Sequence, residues 1–312
     1  VMNSATKHVI VYLAHGTESV YHQTVFSILT LYHHTKGDFK DFTVVLYTDN
    51  KAFFSPYLGD TGVVIEDLTK EQLVEFMGER RFIHRVKTFV IKDCFSKYQK
   101  DLLYLDGDTM FMANPAGLLK AIAPACSVMN CDEYDMHDGG IHELQHWFDL
   151  RTALKANAFV LHGKQFKIPL ATRMWNAGIL GISQANAYLL EDVISLTDQL
   201  YAKCPLFNVE QFATSYVLQN HATVVSSGNY ILHYCYGGVK SRYTYHLGLF
   251  FERNKNQPVA VLSRLAFEFS QSLDALTAPP TAAKKMTVLD RAVLRLQLVK
   301  EVAITGGLRS KW

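Results

Sequence analysis

Short apolar runs alternate along this chain with segments whose apolar residues recur every three or four positions, the pattern of strands interleaved with helices. His8-Val-Ile-Val-Tyr-Leu-Ala14 is continuously apolar after its first residue and leads into His15-Gly-Thr-Glu-Ser19, a turn and helix-cap cluster. Behind it Val25, Ile28, Leu29 and Tyr32 recur at helical spacing, and Thr43-Val-Val-Leu-Tyr47 is strand-like again, which makes a βαβ unit. Gly62-Val-Val-Ile65 offers a further strand and Val86 to Phe95 a helix. Leu102-Leu-Tyr-Leu105 reads as a buried strand that runs directly into Asp106-Gly-Asp108. This alternation predicts an α/β protein with a mainly parallel central sheet. From Asp132 to Arg173 the periodicity weakens while His, Asp and aromatic residues become frequent, which reads as an insertion; Gly178-Ile-Leu-Gly-Ile182 then resumes the sheet. Helices are expected from about 185 to 201, with Leu189, Val193, Leu196 and Leu200 on one face, and from about 209 to 218. After Pro279-Pro280 a basic amphipathic helix is expected, with Leu289, Val293, Leu296 and Val299 on one side and Arg291, Arg295 and Lys300 elsewhere. The expected division is a main domain over 1–250, carrying its insertion near 132–173, and a helical extension over 251–312.

Composition narrows the classes of function. A chain of 312 residues can bury a substantial core as one large domain or two small ones. The net charge of +2, with acidic and basic residues spread along the chain, gives no bulk electrostatic reason to expect nucleic acid as a partner. The five cysteines are odd in number and lack paired spacing, so neither a disulfide framework nor a zinc knuckle is indicated, and a reducing cytosol fits them. No apolar run approaches the roughly 18 to 20 residues that span a bilayer, and the start lacks the layout of a signal peptide. A cytoplasmic location follows as the expectation. Peripheral contact with an anionic membrane through the basic C-terminal helix is the alternative to that helix packing on its own domain.

Candidate chemistry begins at Asp106 and Asp108. Two residues apart at a strand end, their carboxylates lie on one side of an extended backbone, as shared ligation of one hard cation requires. Magnesium or manganese fits, because such ions take one or two protein carboxylates and fill their remaining positions with water and substrate phosphates. A solvated acidic turn is the plainer reading of the same residues. The second constellation, His233-Tyr-Cys-Tyr-Gly-Gly-Val-Lys240, also follows a short apolar segment. Neutral imidazole can complete a metal site, an ammonium can neutralise a leaving diphosphate, and Gly237 and Gly238 let the backbone approach phosphates. Alone, His233 reads as a structural histidine and Lys240 as a surface charge; paired with Asp106-Gly-Asp108 they read as a metal-diphosphate site.

These motifs resemble, in order, those of the retaining GT-A glycosyltransferases of family 8, which contains glycogenin and the lipopolysaccharide galactosyltransferases and glucosyltransferases. Tyr104-Leu-Asp-Gly-Asp-Thr109 is similar to the family's Tyr-Leu-Asp-x-Asp signature, Trp175-Asn-Ala-Gly-Ile179 to its Asn-Ala-Gly segment, and Glu210-Gln211 to its helical Asp-Gln. The stretch from His233 to Lys240 is similar to its His-Phe-x-Gly-x-x-Lys motif, with one extra residue. The resemblance runs from His8 to about Lys240 and implies a GT-A fold, Rossmann-like and built for nucleotide-diphospho-sugars, with the insertion on the acceptor side. It implies that Asp106, Asp108 and His233 ligate Mn2+ or Mg2+, that Lys240 binds the diphosphate, and that Gln211 sits near the reacting face of the donor sugar. Asn176 and Glu210 would hold that sugar, His15, Thr17 and Tyr21 would grip base and ribose, and Arg85 or Lys87 would reach toward the donor. Gly107, Gly237 and Gly238 join the donor-binding set. Three departures are plain in the sequence: Glu210 replaces the usual Asp, the His-to-Lys spacing is longer by one, and Ser241-Arg242 stands where the family has Pro-Trp.

The implied reaction is transfer of a hexose from a nucleotide sugar, with uridine diphosphate glucose or galactose as the leading donor. The acceptor would be a carbohydrate, a lipid-linked glycan or a protein hydroxyl. Metal and Lys240 would stabilise the departing diphosphate while the acceptor attacks an oxocarbenium-like carbon from the same face. No carboxylate is assignable as a nucleophile, and Gln211 is a poor one because an amide lacks charge. Asp132-Glu-Tyr-Asp135 and the aromatics Tyr234, Tyr236, Tyr243 and Tyr245 are candidates for acceptor contact, since sugar rings stack on aromatic faces; core packing is the plainer role for each tyrosine. Two rivals stay open. An aspartate-nucleophile phosphohydrolase also uses Asp-x-Asp after an apolar strand, although its usual Thr stands four residues after the first Asp and Thr109 stands three after Asp106. A non-catalytic module would bind a nucleotide sugar or glycan without turning it over.

Overall fold

The computed structural model describes residues 6–137 and 144–277. In chain order the strands are β1 (His8–Ala14), β2 (Phe42–Thr48), β3 (Val64–Asp67), β4 (Asp101–Leu105), β5 (Thr109–Phe111), β6 (Cys126–Met129), β7 (Asp132–Asp135), β8 (Phe159–Leu161), β9 (Lys164–Phe166), β10 (Arg173–Trp175), β11 (Ile179–Ile182), β12 (Thr223–Ser226) and β13 (Ile231–His233). The helices are α1 (Glu18–His34), α2 (Lys51–Leu58), α3 (Lys70–Met77), α4 (Arg85–Tyr98), α5 (Ala116–Ala121), α6 (Leu144–Ala156), α7 (Leu189–Lys203), α8 (Val209–His221), α9 (Gly237–Asn254) and α10 (Val259–Thr277).

Seven strands form the central sheet in the order β12-β6-β11-β4-β1-β2-β3. Neighbours are parallel except at β11, which runs antiparallel to both β4 and β6. The mainly parallel α/β architecture expected from the alternating pattern is therefore present. The reversal at β11 has a local consequence. Ile179 pairs with Leu105, so the residues just before β11 meet those just after β4, and Asp106 N donates to the Gly178 carbonyl at 2.8 Å. A second antiparallel pair, β5 with β13, sets His233 opposite Thr109 and lets Tyr234 N donate to the Asp108 carbonyl at 3.1 Å. Two short ladders thus carry segments remote in sequence to the carboxyl end of β4, where ligands bind in sheets of this kind.

Burial follows from the layering. Strands β1, β2 and β4 are enclosed on both faces, which is why they read as continuous apolar runs. The helix expected behind β1 is present as α1, and its burial goes beyond the recurring apolar positions, because every residue from Gln23 to Leu31 is buried. The reason is that α9 covers its far side, with His22 stacked on Phe251 at 4.6 Å and Gln23 Nε2 donating to Thr244 Oγ1 at 2.7 Å. Other boundaries moved modestly: β3 begins at Val64, and α7 begins at Leu189 after a short 3-10 turn over Gln184–Asn186. The expected insertion holds regular structure, the β7–β10 pair, α6 and the β8–β9 hairpin. Trp147, Leu150 and Leu154 of α6 are buried at helical spacing, a signal the sequence did contain. Its middle, 138–143, and the basic helix expected around Leu289 to Val299 lie outside the described residues. One compact unit covers Val1–Ser270; the second begins at Gln271, in the last turns of α10.

A chain of hydroxyls ties sheet to site. Thr109 Oγ1 donates to the Asp106 carbonyl at 2.8 Å, which leaves it as acceptor for Ser27 Oγ at 2.8 Å, and Ser27 in turn accepts from Tyr12 OH at 3.1 Å. Tyr12 is fully buried and its burial pushes the phenol pKa well up. Ser27→Ala should therefore strand the Tyr12 hydroxyl and cost about 1–3 kcal/mol, while Ser27→Ala with Tyr12→Phe should recover most of that loss. Urea denaturation of the single and double variants checks both.

Candidate active site

Asp106 and Asp108 extend from β4, and His233 ends β13. Their ligand atoms all lie within 4.8 Å of one another. The cleft they open into holds about 930 Å3, a size suited to a ligand of a few hundred daltons. Gly107 between the two carboxylates is backed by α1, and a Cβ there would stand 2.5 Å from Thr24 Oγ1. Gly178 is more constrained still, because a Cβ would collide with the His233 imidazole. The Asn-Ala-Gly segment needs its glycine so that the ring can lie against the backbone.

The candidate ligand atoms are oriented by neighbouring groups. Asn176 Oδ1 accepts from Gly178 N at 3.1 Å and from Asn130 Nδ2 at 3.3 Å, which identifies it as the oxygen. His233 Nδ1, 2.8 Å away, must then donate to it, and Nε2 is the atom turned to Asp108, at 3.3 Å from Oδ1. That tautomeric assignment is the one a metal-ligating imidazole needs. Asp106 Oδ1 accepts from Tyr104 OH at 2.7 Å. Two carboxylates and one imidazole, each held by a neighbour, suit a hard or borderline divalent cation such as Mn2+ or Mg2+.

Charge is balanced group by group. Burial alone would raise the Asp108 carboxyl, but the hydrogen bond from His233 and the Lys240 ammonium, whose Nζ is 2.7 Å from Oδ2, hold it well below the usual carboxylate range. Burial opposes charge on His233, yet the hydrogen bond to Asp108 pushes its pKa up to about 10. A divalent cation held by Nε2 would take the place of that proton, so its binding would release one. Lys87 is buried between Asp106 and Glu210, at 3.6 and 3.4 Å, and donates to the Ala177 carbonyl at 3.1 Å. Burial works against its charge, and the two carboxylates overcome it. Glu210 is raised by burial despite Lys87.

Of the residues singled out from the sequence, His15, Lys87, Gly107, Asn176, Glu210, Gln211, Gly237, Gly238 and Lys240 line this cleft with the three ligand candidates. Arg85 does not reach it. Its guanidinium makes a two-pronged pair with Asp198 of α7, at 2.7 and 3.0 Å, and donates to the Phe76 carbonyl. Tyr21 is buried and donates to Asp49 Oδ1 at 2.7 Å, while Thr17 is exposed at the start of α1 beside Ser19. Asp49, absent from the sequence reading, also accepts from Gly16 N at 3.0 Å and so pins the loop that carries His15. Tyr234 and Tyr243 stack on each other in the core at 4.3 Å and are not available to an acceptor; Tyr245 is exposed away from the cleft lining, which only Tyr236 of the four joins. Asp132 and Asp135 are both taken by Arg173, at 2.8 and 3.1 Å.

Glu133 between them turns the other way. The β7–β10 register slips at this point, leaving Glu133 as the extra residue of a bulge, and bulges re-aim side chains. Its carboxylate accepts from Asn176 Nδ2 at 3.0 Å and from Gln211 Nε2 at 2.9 Å, joining the His233 side of the cleft to Gln211. Nothing in the sequence announces a bulge there. Ile83 and Phe207, large and exposed at 42% and 47%, also line the cleft and went unnoticed, because single exposed apolar residues in loops carry no periodic signal.

No family model matches this chain, and no curated protein does. Among solved structures it superposes on the galactosyltransferase LgtC in complex with donor and acceptor sugar analogs, at 13% identity over 70% of this chain and 73% of that one, with a TM-score of 0.46. Mouse xyloside xylosyltransferase 1 in its apo form follows at 12% identity, 70% and 84% coverage and a TM-score of 0.44. A putative glucose-1-phosphate thymidylyltransferase from Bacillus anthracis, in complex with a sucrose, gives 12% identity, 77% and 95% coverage and a TM-score of 0.40.

If Asn176 sets the imidazole, Asn176→Ala should weaken Mn2+ binding by about ten- to a hundredfold while the chain stays folded, and Asn176→Asp should restore part of it. Calorimetric titration of Mn2+ into each variant, beside thermal melts, checks this.

Proposed function

We propose that this chain is a metal-dependent glycosyltransferase of GT-A type that moves a hexose from a nucleotide sugar to a hydroxyl acceptor. The observation that carries the reading is the convergence of Asp106, Asp108 and His233, from two segments over a hundred residues apart, in a cleft that also holds Lys240 and the glycine-rich start of α9. A phosphate-bearing ligand with a divalent counter-ion suits such a set, because carboxylates draw the cation and the ammonium and helix start draw the anion.

In this reading the bound cation supplies Lewis-acid stabilisation of the diphosphate as it leaves. Lys240 sits beside Asp108 and adds a positive charge where negative charge develops. Asn176, Glu210 and Gln211 form the sugar side of the cleft. Gln211 is held with its amide nitrogen on Glu133 and its oxygen accepting from Ala177 N at 3.2 Å, so it presents a fixed polar face rather than a free nucleophile. Attack by the acceptor from the side of the departing diphosphate, with retention, agrees with that arrangement. Uridine diphosphate glucose or galactose is the leading donor, and a carbohydrate, a lipid-linked glycan or a protein hydroxyl is the acceptor. No helix among the described residues is long and apolar enough to cross a membrane.

The test is a panel of nucleotide sugars with Mn2+ or Mg2+, following release of nucleotide diphosphate and free sugar. Wild type should hydrolyse one donor slowly and only with metal, and Asp108→Ala should lose at least about a hundredfold of that rate. Inactivity on every donor together with phosphate release from phosphomonoesters would replace this reading with a phosphohydrolase.

A further inference from the structure

Three lysine and arginine side chains line the cleft among the described residues, Lys87, Lys240 and Arg242, and two of them are already committed to carboxylates. Lys87 is closed in by Asp106 and Glu210, and Lys240 lies 2.7 Å from Asp108. Arg242 differs. Its Nε donates to the carbonyl of Gly238, one turn back on α9, at 3.1 Å, and among the described residues no carboxylate pairs with its guanidinium.

That single bond decides where the charge stands. Helical side chains lean toward the helix N-terminus, and the anchor on Gly238 fixes the guanidinium beside the first turn of α9. No side chain caps this 18-residue helix. The N–H groups of Gly237 and Gly238 donate to no protein group among the described residues, and a Cβ on either glycine would meet nothing within 4 Å. Ser241 bends back to the Gly237 carbonyl at 3.0 Å and leaves the space open. Two bare backbone donors, the partial positive charge of a helix start and an unpaired guanidinium therefore face one region of the cleft.

We infer that Arg242 is a binding residue for the diphosphate of the donor, an assignment that rests on the nucleotide-sugar reading above. With Nε anchored, the two terminal nitrogens present a planar fork, and a fork matches a pair of phosphate oxygens where an ammonium offers a point charge. Lys240 neutralises charge from the Asp108 side, and Arg242 supplies the cation that no protein carboxylate has claimed. The group recognised is the diphosphate itself rather than the base or the sugar.

The experiment is calorimetric titration of the full chain in Mn2+ with three probes: inorganic pyrophosphate, uridine diphosphate and uridine. Arg242 is exposed and its one bond lies within its own helix, so Arg242→Ala should fold, which a circular dichroism melt checks. Arg242→Ala should weaken both diphosphates by about ten- to a hundredfold and leave Mn2+ and uridine affinities unchanged, while Arg242→Lys should recover part of the loss. Diphosphate affinities within about twofold of wild type in Arg242→Ala, or an equal loss for uridine, would overturn the assignment. Wild type that binds neither diphosphate would instead overturn the nucleotide-sugar reading beneath it.

Discussion

A carboxylate almost wholly removed from water organises this molecule. Asp108 is only 5% exposed, and an ionised carboxylate in such a place takes up a proton unless donors and positive charge surround it. His233 and Lys240 provide both, and neither is near it in sequence. The end of β4 therefore reaches its working charge state only once β13 and the start of α9 have docked against it. That docking is itself apolar. Phe250 and Phe251 of α9 pack against Phe26 and His22 of α1, and α1 in turn backs Gly107. Core packing and site electrostatics are in this way one construction.

The reversed strand β11 does the other part of the work. A parallel strand beside β4 would bring its far end, not its start, to the carboxyl edge of the sheet. Running antiparallel, β11 delivers Asn176, Ala177 and Gly178 to that edge, and the three act through different atoms: the Asn176 side chain orients His233, the Ala177 carbonyl receives Lys87, and the Gly178 backbone leaves room for the imidazole. Asn176 also reaches Glu133, and Glu133 reaches Gln211, so one connected set of hydrogen bonds runs from the ligand candidates to Gln211 of α8. Where its members are withdrawn from water, as Asn176 and His233 are, such a set is rigid when every member is satisfied and costly when one is not.

The positive groups divide by task. Lys87 is a buried counter-ion whose neighbours use its ammonium fully, and Arg85 ties α4 to α7 from outside the cleft. Both look alike in the sequence, as basic residues two apart at the start of one helix, yet the helical turn between them sends one inward and the other to Asp198.

What the sequence determined by itself was everything that depends on local order. The alternating apolar runs dictated a mainly parallel α/β sheet, and the placement of Asp106-Gly-Asp108 after Leu102-Leu-Tyr-Leu105 put two carboxylates at a strand end. Tertiary structure decided the rest. Whether His233 approaches Asp108, that α1 is covered on both sides, that Glu133 and not Asp132 or Asp135 enters the cleft, and that Tyr234 and Tyr243 are core all depend on contacts between segments many residues apart. A hydrophobic period records that a side chain is buried and is silent on what it is buried against, and a bulge of one residue leaves no mark in composition. The direction of β11 belongs to the same class, because an apolar strand buried on both faces reads the same whichever way it runs.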